Sequence, residues 1–250
     1  GSEMCIRDRV GGGLDRRLHA DAAGVCLTVT EFDAHAGWFK VEVAPETLLR
    51  TNLGDVHVGD ALNCERAMAA HTRFGGHFVQ GHVDTKATLV SKEPTGPALT
   101  LTLRLVYEAP DAQRTTLPLP SSLSPYLVPK GYVTLDGASL TLIEVSPLHG
   151  GHVGGGSSAA AAGAPANEVI EFTVMLIPHT QEHIGLPSKP VGALVNVEFD
   201  MVGKYVYRSI AGELERLSDA ETPTGGASLT PAMLDRLVSG SVQRVLRHNT

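Results

Sequence analysis

The sequence predicts an all-β protein made of two similar small antiparallel barrels, followed by helices at the C-terminus. Two observations lead to this prediction. The first half of the chain is repeated in the second half, and the repeated segments alternate apolar and polar residues as half-buried strands do. No long helical pattern separates these segments, and a series of short antiparallel strands closes readily into a barrel.

Composition sets limits on the function. The chain has 250 residues, 42% of them hydrophobic, and a formal net charge of −7, which argues against a general nucleic-acid binder. No run approaches the roughly 18 apolar residues that span a bilayer, and no segment near the start resembles a secretory signal. Three scattered cysteines without a CxxC pair indicate a reducing compartment. We therefore expect a cytoplasmic protein that binds neither nucleic acid nor membranes.

The repeat consists of two pairs of segments. GVCLTVTE (24–31) aligns with GASLTLIE (137–144), and residues 39–68 align at a constant offset with residues 172–201. One Gly/Ala/Ser-rich segment, residues 146–168, takes up the difference in spacing, and we expect it to be a surface loop. A repeat of this length indicates a duplicated domain.

Each copy predicts the same series of elements. VCLTVTEF, WFKVEVA and ALNCERAM read as strands, and so do their counterparts SLTLIEV, EFTVMLI and LVNVEFDM. PETLLRTNLG and PHTQEHIGLP each predict a short helix that starts at proline, and Asp136-Gly137 predicts a turn. Apolar spacing after Val202, in GKYVYRSIAGELERLSD, predicts a helix, and Thr230-Pro231 opens a second one. These helices pack either on their own barrel or against a partner subunit.

A small polar residue occupies the same place in both copies, Cys26 in the first and Ser139 in the second. Free cysteine is often a buried filler, and no neighbouring base marks Cys26 as a nucleophile. Residues two apart on a strand face the same side, so Cys26 and Thr28 form a matched pair with Ser139 and Thr141. This pattern favours two similar pockets for two similar ligands.

The histidines form two patterns. His77 and His82 are five apart in RFGGHFVQGHVDT, so on an extended strand they face opposite sides and cannot share a metal. The glycines before them indicate that the backbone approaches a ligand or a barrel closely, or that the chain only turns there. His179 and His183 have a spacing that zinc sites also use, but no HExxH pattern or third ligand accompanies them. We expect no metal site.

Seven segments, in order from residue 24 to about residue 207, resemble the signature segments of the riboflavin synthase family. They are GVCLTVTEF, KVEVAPETLLRTNLGDVHVGD, NCERAM, GGHFVQGHVDT, KGYVTLDGASLT, VMLIPHTQE and VNVEFDMVGKYV. The resemblance implies two six-stranded Greek-key barrels related by a pseudo-twofold axis. It also implies a homotrimer held by C-terminal helices and an association with lumazine synthase.

The implied activity is that of a transferase without a metal or organic cofactor. Two molecules of 6,7-dimethyl-8-ribityllumazine give riboflavin and 5-amino-6-ribitylamino-uracil when a four-carbon unit passes between them. Each barrel would hold one substrate, and the active site would form between the first barrel of one subunit and the second barrel of its neighbour. The resemblance implies catalytic assistance from Cys26, His82, Ser139 and Asp200.

The resemblance also implies two sets of substrate contacts. Those of the first barrel are Cys26, Leu27, Thr28, Ala44, Glu46, Thr47, Gly81, His82 and Val83. Those of the second barrel are Lys130, Ser139, Leu140, Thr141, Ile177, Pro178, His179 and Thr180.

Residues 1–23 carry no resemblance to the family, and Ala23 stands where the family has asparagine. We therefore expect a leader over 1–23, an incomplete first barrel over 24–106, a second barrel over 107–204, and helices with a linker over 205–250. An incomplete barrel has unpaired strand edges.

Two other functions fit a barrel of this type. A lumazine- or flavin-binding protein without catalysis would have the same fold, but the intact KGYVTLDGASLT favours two working sites. A flavin-reductase-type barrel requires a nucleotide domain, and the sequence has no glycine-rich nucleotide motif.

Overall fold

The computed structural model describes residues 2–7, 19–66, 73, 75–107, 123–148 and 168–220. Its strands are β1 (Ser2–Arg7), β2 (His19–Ala22), β3 (Val25–Asp33), β4 (Trp38–Val43), β5 (Cys64–Arg66), β6 (Thr85–Thr95), β7 (Ala98–Tyr107), β8 (Tyr132–Leu135), β9 (Ala138–Leu148), β10 (Glu168–Leu176) and β11 (Leu194–Phe199). Its α-helices are α1 (Pro45–Arg50), α2 (Pro178–His183) and α3 (Met201–Ala220). Of the helices so described, none has the length and apolar character needed to cross a membrane.

Six strands, β6 to β11, close into an antiparallel barrel in the order β10-β7-β6-β11-β8-β9. Alternate residues of each strand point inward, as the period of two requires. On β10, for example, Ile170, Phe172 and Val174 are buried in the core, while Glu171 between them is half-buried and pairs with Arg104 of β7. The predicted barrel of the second half is confirmed.

The first half forms a five-stranded sheet in the order β1-β4-β3-β2-β5. The repeat relates β3, β4 and β5 to β9, β10 and β11, and β1 pairs with β4 as β7 pairs with β10. The sheet therefore has the strand order of the second barrel with β6 left out. Among the described residues no sixth strand lies between β1 and β5. Its core consists of Ala22, Ala23, Val25, Leu27, Phe39, Val41, Val43 and Leu53.

The structure differs from two predicted domain boundaries. β1 and β2 lie within residues 1–23, the expected leader, and both pair with strands of the first sheet. β6 and β7 lie within residues 24–106 but belong to the closed barrel, which therefore begins at Thr85 and not at residue 107. The repeat could not reveal this, because β6 has no counterpart and β1 shares no sequence pattern with β7.

The predicted C-terminal region is only partly within the described residues. α3 begins at Met201, inside the range expected for the second barrel, and ends at Ala220. The chain divides into one unit over residues 1–207, which contains both sheets, and another over residues 208–250. The predicted helix at Thr230-Pro231 and residues 149–167 of the Gly/Ala-rich segment lie outside the described residues.

Two equivalent turns meet where the two halves contact each other. Ala23-Gly24 joins β2 to β3, and Asp136-Gly137 joins β8 to β9, as predicted for the second copy. All four residues have positive φ, which is typical of a two-residue type I′ hairpin turn. A Cβ on Gly24 would lie 2.5 Å from the backbone nitrogen of Gly137, so only glycine allows this approach. The pseudo-twofold axis of the repeat passes between these turns.

Two asparagines that the repeat aligns, Asn63 and Asn196, hold the halves together. The side-chain amide of Asn63 donates to the carbonyl oxygen of Asp136 (2.9 Å), and its Oδ1 accepts from the N–H of Gly185 (2.7 Å). Asn63 belongs to the first half, and both of its partners belong to the second.

Asn196, in the second half, makes the two equivalent hydrogen bonds to residues of the first half. Its amide donates to the carbonyl oxygen of Ala23 (2.8 Å), and its Oδ1 accepts from the N–H of Asn52 (2.7 Å). The repeat aligns Ala23 with Asp136 and Asn52 with Gly185. The four hydrogen bonds are therefore two copies of one contact, which we call the asparagine clasp.

We expect Asn196→Ala to lower the free energy of unfolding by about 3 kcal/mol, because Asn196 is 1% exposed and its loss leaves a buried N–H and a buried carbonyl without partners. Asn63→Ala should cost less, because Asn63 is only half-buried. Urea unfolding of the two variants and the parent chain measures both effects. An Asn196→Ala variant as stable as the parent would contradict a role for the clasp in stability.

Candidate functional site

Residues 75–82 pass the two positions that the repeat matches, Ser139 on β9 and Cys26 on β3. Gly76 lies against Ser139, whose Oγ and Cβ would clash with any side chain at residue 76. Gly81 lies against Cys26, and a Cβ at residue 81 would be 2.7 Å from the Cβ of Cys26. The N–H of Cys26 donates to the carbonyl oxygen of Gly81 (2.8 Å). These glycines therefore allow one segment, which we call the crossing segment, to approach both barrels.

At the second barrel the crossing segment brings His77 to Ser139. Nδ1 of His77 lies 2.7 Å from Oγ of Ser139, and the backbone N–H of His77 donates to the same oxygen (3.2 Å). Nε2 lies 3.1 Å from Oγ1 of Thr134, and the ring stacks on Tyr132 with 5.1 Å between ring centroids. Burial lowers the pKa of His77, and the nearby Asp200 carboxylate acts in the opposite direction. The imidazole is therefore mainly neutral at neutral pH.

In the first barrel a carboxyl group occupies the position that Thr134 has in the second barrel. The repeat aligns Asp21 of β2 with Thr134, and cross-strand pairing puts Asp21 opposite Cys26 on one side and Glu65 on the other. Burial, with the charges of Glu65 and Glu198, raises the pKa of Asp21 to about 7. Burial and then Asp21 raise the pKa of the Cys26 thiol, so this cysteine is not an activated thiolate.

A buried carboxylate fixes the end of the crossing segment. Glu198 of β11 is 2% exposed and accepts hydrogen bonds from the backbone N–H groups of Gln80 (2.8 Å), Gly81 (2.9 Å) and His82 (3.1 Å). Burial raises the pKa of Glu198, and the N–H of Gln80 opposes this shift. Glu198 of the second barrel thereby holds Gly81 in place against Cys26 of the first.

The structure separates the predicted strand contacts into two faces. Cys26 and Ser139 are half-buried, and Thr28 and Thr141 are exposed on the same faces. Leu27 lies in the core of the first sheet, and Leu140 lies in the core of the second barrel. The side chains of these two leucines are therefore packed inside and do not lie on the faces of Cys26 and Ser139.

The predicted helix contacts lie in and before the equivalent helices α1 and α2. Ala44 precedes α1, which contains Glu46 and Thr47, and Glu46 accepts a hydrogen bond from Arg50 (2.7 Å). Ile177 precedes α2, which contains Pro178, His179 and Thr180.

The two histidines of α2 interact with each other. The ring of His183 packs on that of His179 with 4.1 Å between centroids, and Nδ1 of His183 bonds the carbonyl oxygen of His179 (2.7 Å). Within the described part of the chain, no group of three or more metal-ligating side chains occurs.

The remaining predicted residues have diverse environments. Lys130 is exposed, with positive φ, in the turn before β8. Asp200 caps α3, because its Oδ1 accepts from the N–H of Val202 (2.9 Å). His82 is exposed, and Val83 packs on the core of the first sheet.

Sequence reasoning missed the partners of the two matched positions. It considered His77 as a metal ligand and as part of a segment that approaches a ligand or a barrel, and it gave Thr134, Asp21 and Glu198 no role in the site. The twin glycines before His77 were a signal that the backbone there approaches another part of the chain closely. The alignment of Asp21 with Thr134 was a signal that these two residues occupy equivalent positions.

The chain matches the family model for the lumazine binding domain over residues 21–67 and 80–200. The crystal structure of LumP complexed with 6,7-dimethyl-8-(1'-D-ribityl) lumazine superposes with a TM-score of 0.51 at 14% identity, over 74% of this chain and 79% of that chain. At this identity the likeness concerns the fold alone. Fold and family model together define a protein with lumazine-binding barrels.

Sequence relatives narrow this class. Riboflavin synthase of Meyerozyma guilliermondii is 37% identical over 226 residues, which cover 90% of this chain and 79% of the relative. Riboflavin synthase of Schizosaccharomyces pombe is 39% identical, with coverages of 76% and 74%, and that of Bacillus subtilis is 39% identical, with coverages of 74% and 68%. The chain belongs to the riboflavin synthase family.

The raised pKa of Asp21 predicts that stability depends on pH. A carboxyl with a pKa of about 7 in the folded state and about 3.8 in the unfolded state favours folding below pH 4, and this contribution is lost as the pH rises through 7. The full loss lowers the free energy of unfolding by about 4 kcal/mol. Asp21→Asn should remove this loss, so that the variant is more stable than the parent at pH 8 and its unfolding free energy changes less between pH 5 and pH 8.

Urea unfolding at the two pH values measures the effect. Asp55→Asn is the matched control for the loss of a carboxyl group, because Asp55 is exposed. Equal pH dependence in the parent and in Asp21→Asn would rule out a buried, protonated Asp21.

Proposed function

We propose that this protein catalyses the dismutation of two molecules of 6,7-dimethyl-8-ribityllumazine to riboflavin and 5-amino-6-ribitylamino-uracil. The reaction is a transfer, because a four-carbon unit passes from one lumazine to the other. The observation that carries the proposal is the duplicated site. Cys26 and Ser139 occupy equivalent strand positions, and one crossing segment lies against both. A reaction that consumes the same molecule twice needs two such pockets.

The chemistry asks for orientation more than for a strong base. The methyl group at C7 of the lumazine is acidic, because its carbanion is delocalised into the heterocycle. The protein must hold two rings in the reactive geometry, which supplies up to about 7–11 kcal/mol in the best intramolecular models. Neutral hydroxyl, thiol and backbone groups can fix each ring through hydrogen bonds. Cys26, Thr28, Ser139 and Thr141 supply thiol and hydroxyl groups of this kind.

The proposed contacts follow the repeat. In the first barrel Cys26, Thr28 and Gly81 would bind one lumazine, with Ala44, Glu46 and Thr47 at α1. In the second barrel Ser139 and Thr141 would bind the other, with Lys130 before β8 and Ile177 to Thr180 at α2. His82 is exposed and Asp200 is half-buried, so both are accessible for supporting roles. No step requires a metal or an organic cofactor.

We also propose that the protein acts as a homotrimer in the cytoplasm, where it would associate with lumazine synthase. Support for self-association comes from the start of α3. Val202, Tyr205 and Val206 are spaced as one face of a helix and are exposed by 61%, 68% and 53%. An exposed apolar helix face of this kind favours packing on a partner subunit over packing on the chain's own barrel.

Riboflavin fluorescence tests the proposed function. The full chain is incubated with 6,7-dimethyl-8-ribityllumazine, and riboflavin should accumulate at the expense of the lumazine. Tight binding of lumazine without riboflavin would contradict the enzymatic function and favour a lumazine-binding protein without catalysis.

Substitutions at Cys26 test the role of the first pocket in the same assay. Cys26→Ser should keep the rate within about threefold, because serine is the residue of the second copy, whereas Cys26→Trp should lower it by about tenfold or more by filling the pocket. Cys64→Ser is the matched control for loss of a thiol. Inactivity of Cys26→Ser would contradict our view that the position needs only a small polar group.

A further inference from the structure

One wall of the first pocket is held by the second barrel. In the crossing segment, Gly81 lies against Cys26, and its carbonyl oxygen accepts the backbone N–H of Cys26 (2.8 Å). His82 follows with an exposed side chain. Gly81 is a proposed contact of the first lumazine, and His82 has a proposed supporting role. The side chain that binds the backbone of both residues is Glu198 of β11, a strand of the second barrel.

The carboxylate of Glu198 uses both of its oxygens to hold this backbone. Oε1 accepts the N–H of Gln80 (2.8 Å), and Oε2 accepts the N–H groups of Gly81 (2.9 Å) and His82 (3.1 Å). Glu198 is 2% exposed, so these N–H groups take the place of the water that a surface carboxylate would bind. A carboxylate accepts hydrogen bonds at both oxygens, whereas a glutamine amide accepts at one position and donates at the other. A glutamine at residue 198 therefore cannot keep all three bonds in either orientation.

The same strand also holds the residue that ends this stretch of chain. The N–H of Asp84 donates to the carbonyl oxygen of Val197 (2.9 Å), and its carboxylate accepts from the N–H of Phe199 (2.8 Å). The carboxylate of Asp84 also forms an ion pair with Lys204 of α3 (2.6 Å). Residues 80–84 are therefore fixed to β11 and to the start of α3.

The other end of the crossing segment is held without Glu198. There His77 contacts Ser139 through its ring and its backbone, and its Nε2 lies 3.1 Å from Oγ1 of Thr134. Glu198 itself lies opposite Thr134 in the pairing of β11 with β8. A purely structural role of Glu198 would therefore be felt first in the second pocket, whereas its hydrogen bonds act on the first.

We propose that Glu198 is a positioning residue of the first pocket, although it belongs to the second barrel. Its carboxylate fixes the backbone at residues 80–82, and it thereby places Gly81 and His82 against the lumazine bound at Cys26. This proposal rests on the proposed function. It makes lumazine binding in the first pocket depend on one side chain of the other barrel.

Variants with one blocked pocket test the proposal in the full chain. Ser139→Trp leaves only the first pocket open, and Cys26→Trp leaves only the second, so neither should turn over 6,7-dimethyl-8-ribityllumazine while calorimetry measures its binding. Adding Glu198→Gln to Ser139→Trp should weaken the binding by about tenfold or more, because at least one N–H group of the wall loses its acceptor. Adding Glu198→Gln to Cys26→Trp should change the affinity by less than about threefold.

Hydrogen exchange of the backbone tests the same contact without any ligand. In Glu198→Gln the N–H groups of residues 80–82 should exchange about tenfold faster than in the parent chain, while that of His77 should change by less than about threefold. Glu198→Asp keeps the charge on a shorter side chain and serves if Glu198→Gln does not fold, and its losses should be smaller but in the same pocket. Glu42→Gln is the matched control, because Glu42 is exposed on β4 and should change neither measurement.

The outcomes separate this proposal from the proposed function. Equal weakening in both pockets, weakening in the second pocket alone, or no weakening would overturn the role of Glu198. So would unchanged exchange at residues 80–82, or a Ser139→Trp chain that binds no lumazine. A parent chain that binds two lumazines but forms no riboflavin would contradict the synthase function, and a loss confined to the first pocket of that chain would still support the role of Glu198.

Discussion

The contact between the two halves across the pseudo-twofold axis is the constraint on which the rest of the structure depends. The asparagine clasp of Asn63 and Asn196 ties each half to the other, and the two turns approach so closely that a side chain on Gly24 would clash with the backbone of Gly137. Since β3 and β9 begin at these turns, the same contact sets where Cys26 and Ser139 lie. The two matched positions are therefore placed by the duplication itself.

The crossing segment adds a second difference between the two matched positions, beside the exchange of Thr134 for Asp21. It occurs once in the chain, so it can present a histidine to one barrel and a glycine to the other. Glu198 accepts hydrogen bonds from three successive N–H groups at its end, which links the segment beside Cys26 to a strand of the second barrel. A duplicated protein with identical pockets would bind two identical substrates in identical states. The single crossing segment makes the surroundings of Ser139 and Cys26 different, with His77 at one and Gly81 at the other.

Much of the fold was predictable from the sequence, and less of the site. Alternation on β3 and β9, the prolines that begin α1 and α2 and the Asp136-Gly137 turn are local signals, and the structure confirms each element. The sequence did not predict that β6 and β7 belong to the closed barrel. Alternation shows which residues share a face of a strand, but it does not show which strand lies beside them. The contacts of His77 were not predictable for the same reason. Its partners Ser139 and Thr134 lie about sixty residues further along the chain, and only the folded arrangement brings them together.

The central claim is that duplication provides two pockets, each for one lumazine. Titration calorimetry of the full chain with 6,7-dimethyl-8-ribityllumazine, under conditions too brief for turnover, tests it most directly. Two lumazines bound per chain, falling to one in Ser139→Trp, is the result that this account predicts. One lumazine bound per chain, with no loss in Ser139→Trp, would contradict it.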